Sequence, residues 1–141
     1  MNMRRLLTTI CFLLIAMPVS AWELRSVKDP ATDELVKSAS VTATGASLVV
    51  ACTKGQQQPW LSLAQGIEPK NIMVSYRFDD GPVAQRMAVV TADGHDLWPW
   101  PSDYSAAVWK LRRVKHFHLD MGQTSFDFDL STGDHLPAFL C

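Results

Sequence analysis

The sequence predicts a mainly β protein, an antiparallel β-sandwich or partly open barrel of about eight short strands with one α-helix at about 103–114. Three observations lead there. Turn-forming residues recur at intervals of about ten through most of the chain, the spacing of short antiparallel strands. Apolar residues recur at every second position at 72–78 and again on either side of Gly122, which sends neighbouring side chains to opposite faces of a pleated strand. A single window, after Pro101, carries helical spacing instead. A chain of 141 residues has room for one core, and 48% hydrophobic with 19% charged residues is the composition of a packed globular protein.

The first element is a leader. Arg4 and Arg5 precede an apolar run from Leu6 to Met17, and Pro18, Val19, Ser20 and Ala21 follow it. A basic start, a 12-residue hydrophobic stretch and small residues at −3 and −1 are the three parts of a cleaved secretory signal. The run falls short of the about 20 residues that span a bilayer. Cys11 lies inside it behind Thr8, Thr9 and Ile10, which is not the Leu-x-small pattern that lipid attachment requires. Residues 1–21 are therefore expected to be a signal peptide and 22–141 a single β-rich domain. The expected compartment is the periplasm, with no membrane span in the mature chain.

Processing at that point leaves 11 bases against 14 acids, a net charge of −3. No electrostatic footprint for nucleic acid or an anionic membrane results. Cys52 and Cys141 remain as the cysteines of the mature chain. Two thiols in an oxidising compartment pair, and this pair would close a loop of 89 positions.

Strands are expected near 22–27, 35–44, 47–52 and 60–64, divided by Lys28-Asp29-Pro30, Gly45 and Lys54-Gly55. The clearest strand is 72–78, with Ile72, Val74, Tyr76 and Phe78 on one face. Asp79-Asp80-Gly81 is a reversal, and 82–90 should return beside it as a hairpin. Ser102 is a suitable N-cap for the helix, with Asp103 in its first turn and Lys110, Arg112, Arg113 and Lys115 towards its C-terminus, where the macrodipole favours cations. Tyr104, Val108 and Leu111 fall on its apolar face.

The last hairpin is the most sharply specified. A two-residue type II′ turn at Gly122-Gln123 sets Leu119 opposite Phe126 and Phe117 opposite Phe128, which collects the apolar side chains on one side. The same register places His118 opposite Asp127 and His116 opposite Asp129. Two imidazoles facing two carboxylates are candidate ligands for zinc or copper. Exposed cross-strand ion pairing explains them equally in kind and better in frequency, so no metal or other cofactor is expected.

Trp98-Pro99-Trp100-Pro101 is the other unusual segment. Prolines at alternate positions keep it out of a central strand, so the tryptophans are expected in a loop. There Trp98 and Trp100 either grip a sugar ring or a partner protein, or fold back as a lid on the core. Asp79, Asp80 and Asp93 occupy turn positions, where acids are the ordinary residues. No nucleotide-binding loop, zinc-type cysteine cluster, dinucleotide fingerprint or nucleophile elbow is present, and an enzyme is not expected.

Several landmarks follow one another in order: Trp22, the run Leu48 to Cys52, the run Val74 to Gly81, Thr91-Ala92-Asp93-Gly94, Leu111-Arg112-Arg113, Phe126-Asp127-Phe128-Asp129-Leu130 and terminal Cys141. The series resembles the small periplasmic type VI secretion-associated proteins of the VasI/TagO kind. That resemblance implies a non-enzymatic accessory or binding role with an envelope protein or peptidoglycan component as partner, and it supplies no catalytic residues. A secreted inhibitor of a hydrolase such as lysozyme, acting through a loop inserted into a cleft, is the alternative.

Overall fold

The computed structural model describes residues 22–28, 30–53, 55–131, 136 and 141. The expected signal peptide, 1–21, lies outside the described residues, as do Asp29 and Lys54 of the expected turns. The described chain is mainly β. Its elements are β1 (Glu23–Lys28), β2 (Leu35–Ala43), β3 (Ala46–Thr53), β4 (Gln56–Leu63), β5 (Asn71–Phe78), β6 (Ala84–Val90), β7 (Asp96–Trp98), α1 (Tyr104–Leu111), β8 (His116–Met121) and β9 (Thr124–Asp129).

All nine strands join one antiparallel sheet, in the order β1-β2-β3-β4-β7-β6-β5-β8-β9. One sheet therefore forms rather than the two facing sheets of a sandwich. It curls until β2 and β9 touch without pairing, which leaves the roll open between them. At that contact a Cβ on Gly45 would lie 3.5 Å from the Phe126 ring. β1 lies beyond the contact as an edge, exposed at all six positions, with Glu23, Arg25 and Lys28 interrupting its apolar residues.

Alternation decides which side chains enter the roll. Leu48, Val50, Leu61, Val74, Ala88, Leu97, Phe117, Leu119 and Phe128 all point inward and are buried. Each larger one contributes about 1.5–3 kcal/mol by leaving water. The last hairpin has the expected register in full, His116 facing Asp129, Phe117 facing Phe128, His118 facing Asp127 and Leu119 facing Phe126. Gly122 sits at φ 62°, the first position of the tight turn, where a left-handed backbone favours glycine. Gly94 is more constrained still: at φ 76° it also approaches Ile67, whose carbonyl oxygen would lie 2.1 Å from an added Cβ.

Two departures from the expected elements share one cause. β4 begins at Gln56, through a polar Gln-Gln-Gln-Pro stretch, and the tryptophan-proline segment supplies a strand, β7. β7 joins β4 only through Leu61↔Leu97 and Ser62↔Asp96, and β6 only through Val89↔Trp98 and Val90↔Leu97. The Leu63 N–H donates to His95 O on the β7 side, whereas the Ala64 N–H donates to Gly45 O on the β3 side. Odd-numbered residues of β4 therefore turn their backbone groups towards β7. Pro59 meets that side beyond the end of β7, where no strand asks for its missing N–H.

Past Trp98 the short strand stops at Pro99, and a notch opens between β4 and β6. Helix α1 packs against β4 and fills it, burying Ala107, Val108 and Leu111. The helix is shorter than expected at both ends. Asp103, not Ser102, takes the N-cap position, and its side chain makes no capping bond. At the other end the N–H groups of Arg113 and Val114 both donate to Lys110 O, closing a tight turn, and the next two N–H groups are drawn off by Asp79.

Candidate functional site

The notch that α1 fills is not filled completely. A pocket of about 250 Å³ remains between the helix and the β5–β6 hairpin. Its floor is aromatic. Trp100, which follows Pro99 into the interior and is 2% exposed, meets Tyr76 edge-on, with ring centroids 5.5 Å apart and an interplanar angle of 71°. It lies nearly parallel to Phe78 at 6.2 Å and 17°. Phe117 backs the cluster from β8, 5.5 Å from Trp100. The walls are small: Pro82 and Ala84 on the hairpin, Ala106 and Ala107 on the helix.

Charge is confined to the rim. Arg86 and Asp103 pair across the mouth at 3.4 Å, which neutralises both and is the work Asp103 does in place of capping. Lys110 also lines the pocket, and its Nζ lies 5.6 Å from the centre of the Phe78 ring. Among the described residues it is paired with no carboxylate. The arrangement is an apolar, aromatic-floored hole of about one side chain's size with a spare cation at its lip.

Trp98 and Trp100, expected in one loop either as partner contacts or as a lid on the core, face opposite ways. Trp98 faces outward and stacks on Trp60, which the register sets beside it, with centroids 4.9 Å apart. Trp100 is buried, so it acts as pocket floor and core rather than as an exposed contact. The physical reason is β-strand alternation: once Leu97 is fixed inward by Leu61, Trp98 must face out, and the turn at Pro99 returns Trp100 to the inside.

The histidine cluster forms with the register expected of it. His118 directs Nδ1 at Asp127 and Nε2 at Asp120 Oδ1, the latter at 2.8 Å, and Ser125 Oγ–H donates to the same Asp120 oxygen. The hydrogen bond with Asp127, reinforced by Asp120 against the opposing effect of burial, holds the imidazole pKa above its ordinary value. An imidazolium donating both N–H groups fits two carboxylate neighbours, and neither nitrogen keeps a lone pair for a metal. His116 stands 4.0 Å from Asp129. Among the described residues no group of three or more His, Cys, Asp or Glu is gathered as a metal site.

The basic residues after the helix also separate. Arg112 donates to Gln57 Oε1 at 2.6 Å, and Arg113 lies over the Trp109 ring at 4.0 Å while donating to Trp109 O. Cys52 and Cys141 form the expected disulfide. Sequence reasoning missed Lys110, Arg86 and Tyr76 as site residues. The one signal present was Trp100 following Pro99, with the apolar Leu97 three residues before it.

No helix among the described residues is long and apolar enough to cross a membrane. No family model, curated protein or solved structure matches the chain.

Proposed function

We propose that this chain is an exported, non-enzymatic binding protein of the periplasm whose pocket between α1 and the β5–β6 hairpin takes a small apolar anchor from an envelope partner. The observation that carries the reading is the pocket's composition: three aromatic rings below, proline and alanine at the sides, and an ion pair at the rim already satisfied by its own members. Such walls grip an apolar group by exclusion of water, with the charged side chains confined to the rim. The Cys52–Cys141 bridge and the basic, apolar and small-residue order of 1–21 support export to an oxidising compartment. The resemblance of the motif order to type VI secretion-associated proteins is the ground for an accessory role beside such a system.

A second reading, inhibition of a hydrolase such as lysozyme, draws on the Asp79-Asp80-Gly81-Pro82 reversal. It stands exposed beside the pocket and ends in Val83, 65% exposed. A capture experiment separates the readings. Wild-type protein and an Ala106→Trp variant, which fills the pocket from an exposed helix position, are compared on envelope extract, with lysozyme assayed alongside. The proposal expects a partner that the variant no longer recovers, with an unchanged melting temperature. Equal recovery of the same partners removes the pocket from the function, and inhibition of lysozyme by both proteins favours the reversal.

A further inference from the structure

Resting on the reading of this pocket as a binding site, we infer that its occupant is the carboxy-terminal residue of a partner polypeptide, an apolar side chain held on the aromatic floor with its free carboxylate against Lys110. Size comes first. About 250 Å³ is smaller than the roughly 300–1,000 Å³ that drug-sized ligands use, and larger than the about 150 Å³ that accepts benzene. One Phe or Leu residue with its terminal carboxylate fits between those limits.

Charge narrows the choice. An internal side chain of a partner would bring only apolar surface and two neutral peptide groups to the mouth. The mouth is cationic: Arg86 and Asp103 cancel one another, and Lys110 is left without a carboxylate among the described residues. Lys110 remains exposed, and its Nζ lies over the Phe78 ring, so its ammonium stands at the edge of the apolar floor. A carboxylate one bond from an apolar side chain is the group that satisfies both surfaces at once. Only the last residue of a chain, or a free acid of the same shape, carries that combination.

The test is calorimetric titration of the oxidised protein with acetyl-Gly-Gly-Phe and acetyl-Gly-Gly-Leu, each as free acid and as carboxamide, and with 3-phenylpropionate. The acids are expected to bind about three- to tenfold more tightly than the amides, an advantage reduced by added salt. In Lys110→Gln the acid and amide should bind alike, at the wild-type affinity for the amide. Ala106→Trp should bind neither. Equal binding of acid and amide to wild type overturns the carboxylate while leaving the pocket reading intact. Phenylpropionate binding as tightly as the tripeptide acid overturns the polypeptide source and assigns the site to small carboxylic acids. Absence of binding by every probe overturns the inference, and the capture experiment with Ala106→Trp then decides separately whether the pocket binds anything else.

Discussion

Asp79 and His116 are joined twice: the Asp79 N–H donates to His116 O at 2.9 Å, and the His116 N–H donates back to Asp79 Oδ1 at 2.8 Å. The same carboxylate oxygen accepts the Lys115 N–H at 2.8 Å. Asp79 holds a left-handed backbone, φ 51°, which Asp and Asn tolerate better than most residues. One residue thus ends β5, turns the chain and starts β8. Asp79→Ala is expected to lower stability by about 1–2 kcal/mol, because two N–H groups lose their acceptor and the left-handed position loses its preferred residue type. Asp79→Asn, which keeps an oxygen in place, should cost about half as much. Urea unfolding of both variants checks the order, and an equal loss for the two would show that the side-chain oxygen is not what joins the strands.

Trp98 and Trp100 lie two residues apart in sequence and should differ widely in cost. Trp100→Ala empties the pocket floor and strips contacts from Tyr76, Phe78 and Phe117, so a loss of about 3–5 kcal/mol is expected. Trp98→Ala removes a half-exposed ring and its stacking on Trp60, with a cost of about 1–2 kcal/mol. Thermal melts distinguish the two, and similar losses would contradict the assignment of these residues to opposite faces.

The same contrast marks the limit of what the residues disclose by themselves. The hairpin of His116–Met121 and Thr124–Asp129 was legible to the register because period-two alternation and a Gly turn act locally, each strand specifying the other. The disulfide was legible from parity. β7 was not, since proline spacing argues against a strand and the three residues that do pair are held between nearby β6 on one side and distant β4 on the other. Gln56, Gln57 and Gln58 carry no apolar pattern of their own and become strand by pairing with Thr53, Cys52 and Ala51 respectively. The pocket was illegible for a related reason. Tyr76, Trp100 and Lys110 come from β5, the loop after β7 and α1, and only the notch left by a strand of three residues brings them together.

Cys141 is tied to Cys52 in β3, across a sequence separation of 89. A loop of that length removes conformational freedom from the unfolded chain equivalent to about 4–5 kcal/mol in the chain-entropy description, with strain and residual structure reducing it. Reduction under native conditions, or Cys52→Ser, is expected to lower the melting temperature clearly. The reduced protein should retain its far-ultraviolet signature at low temperature, because residue 141 belongs to no strand and all nine strands pair through the sheet's own ladders, β3 being held by β2 and β4. A melting temperature unchanged by reductant would show that the bridge contributes nothing to stability.

The His118 clamp predicts a pH window. Its pKa lies above the usual 6.5, chiefly through the hydrogen bond with Asp127, so the stability it contributes is fully present below pH 6.5 and is lost as pH rises through the higher folded value. Asp120 lies below its usual 3.8, chiefly through the Ser125 hydroxyl and then through His118, so its contribution is present above that pH and is lost as pH falls through the lower folded value. Both contributions are whole between about pH 4 and pH 6.5. The difference in melting temperature between wild type and His118→Gln should therefore be greatest and flat across that interval, and shrink on the alkaline side as the imidazole loses its second proton donor. A proton-resonance titration of His118 gives the midpoint directly. A midpoint at or below 6.5, or a difference that grows above pH 7, would mean that the two carboxylates do not hold the imidazolium between β8 and β9.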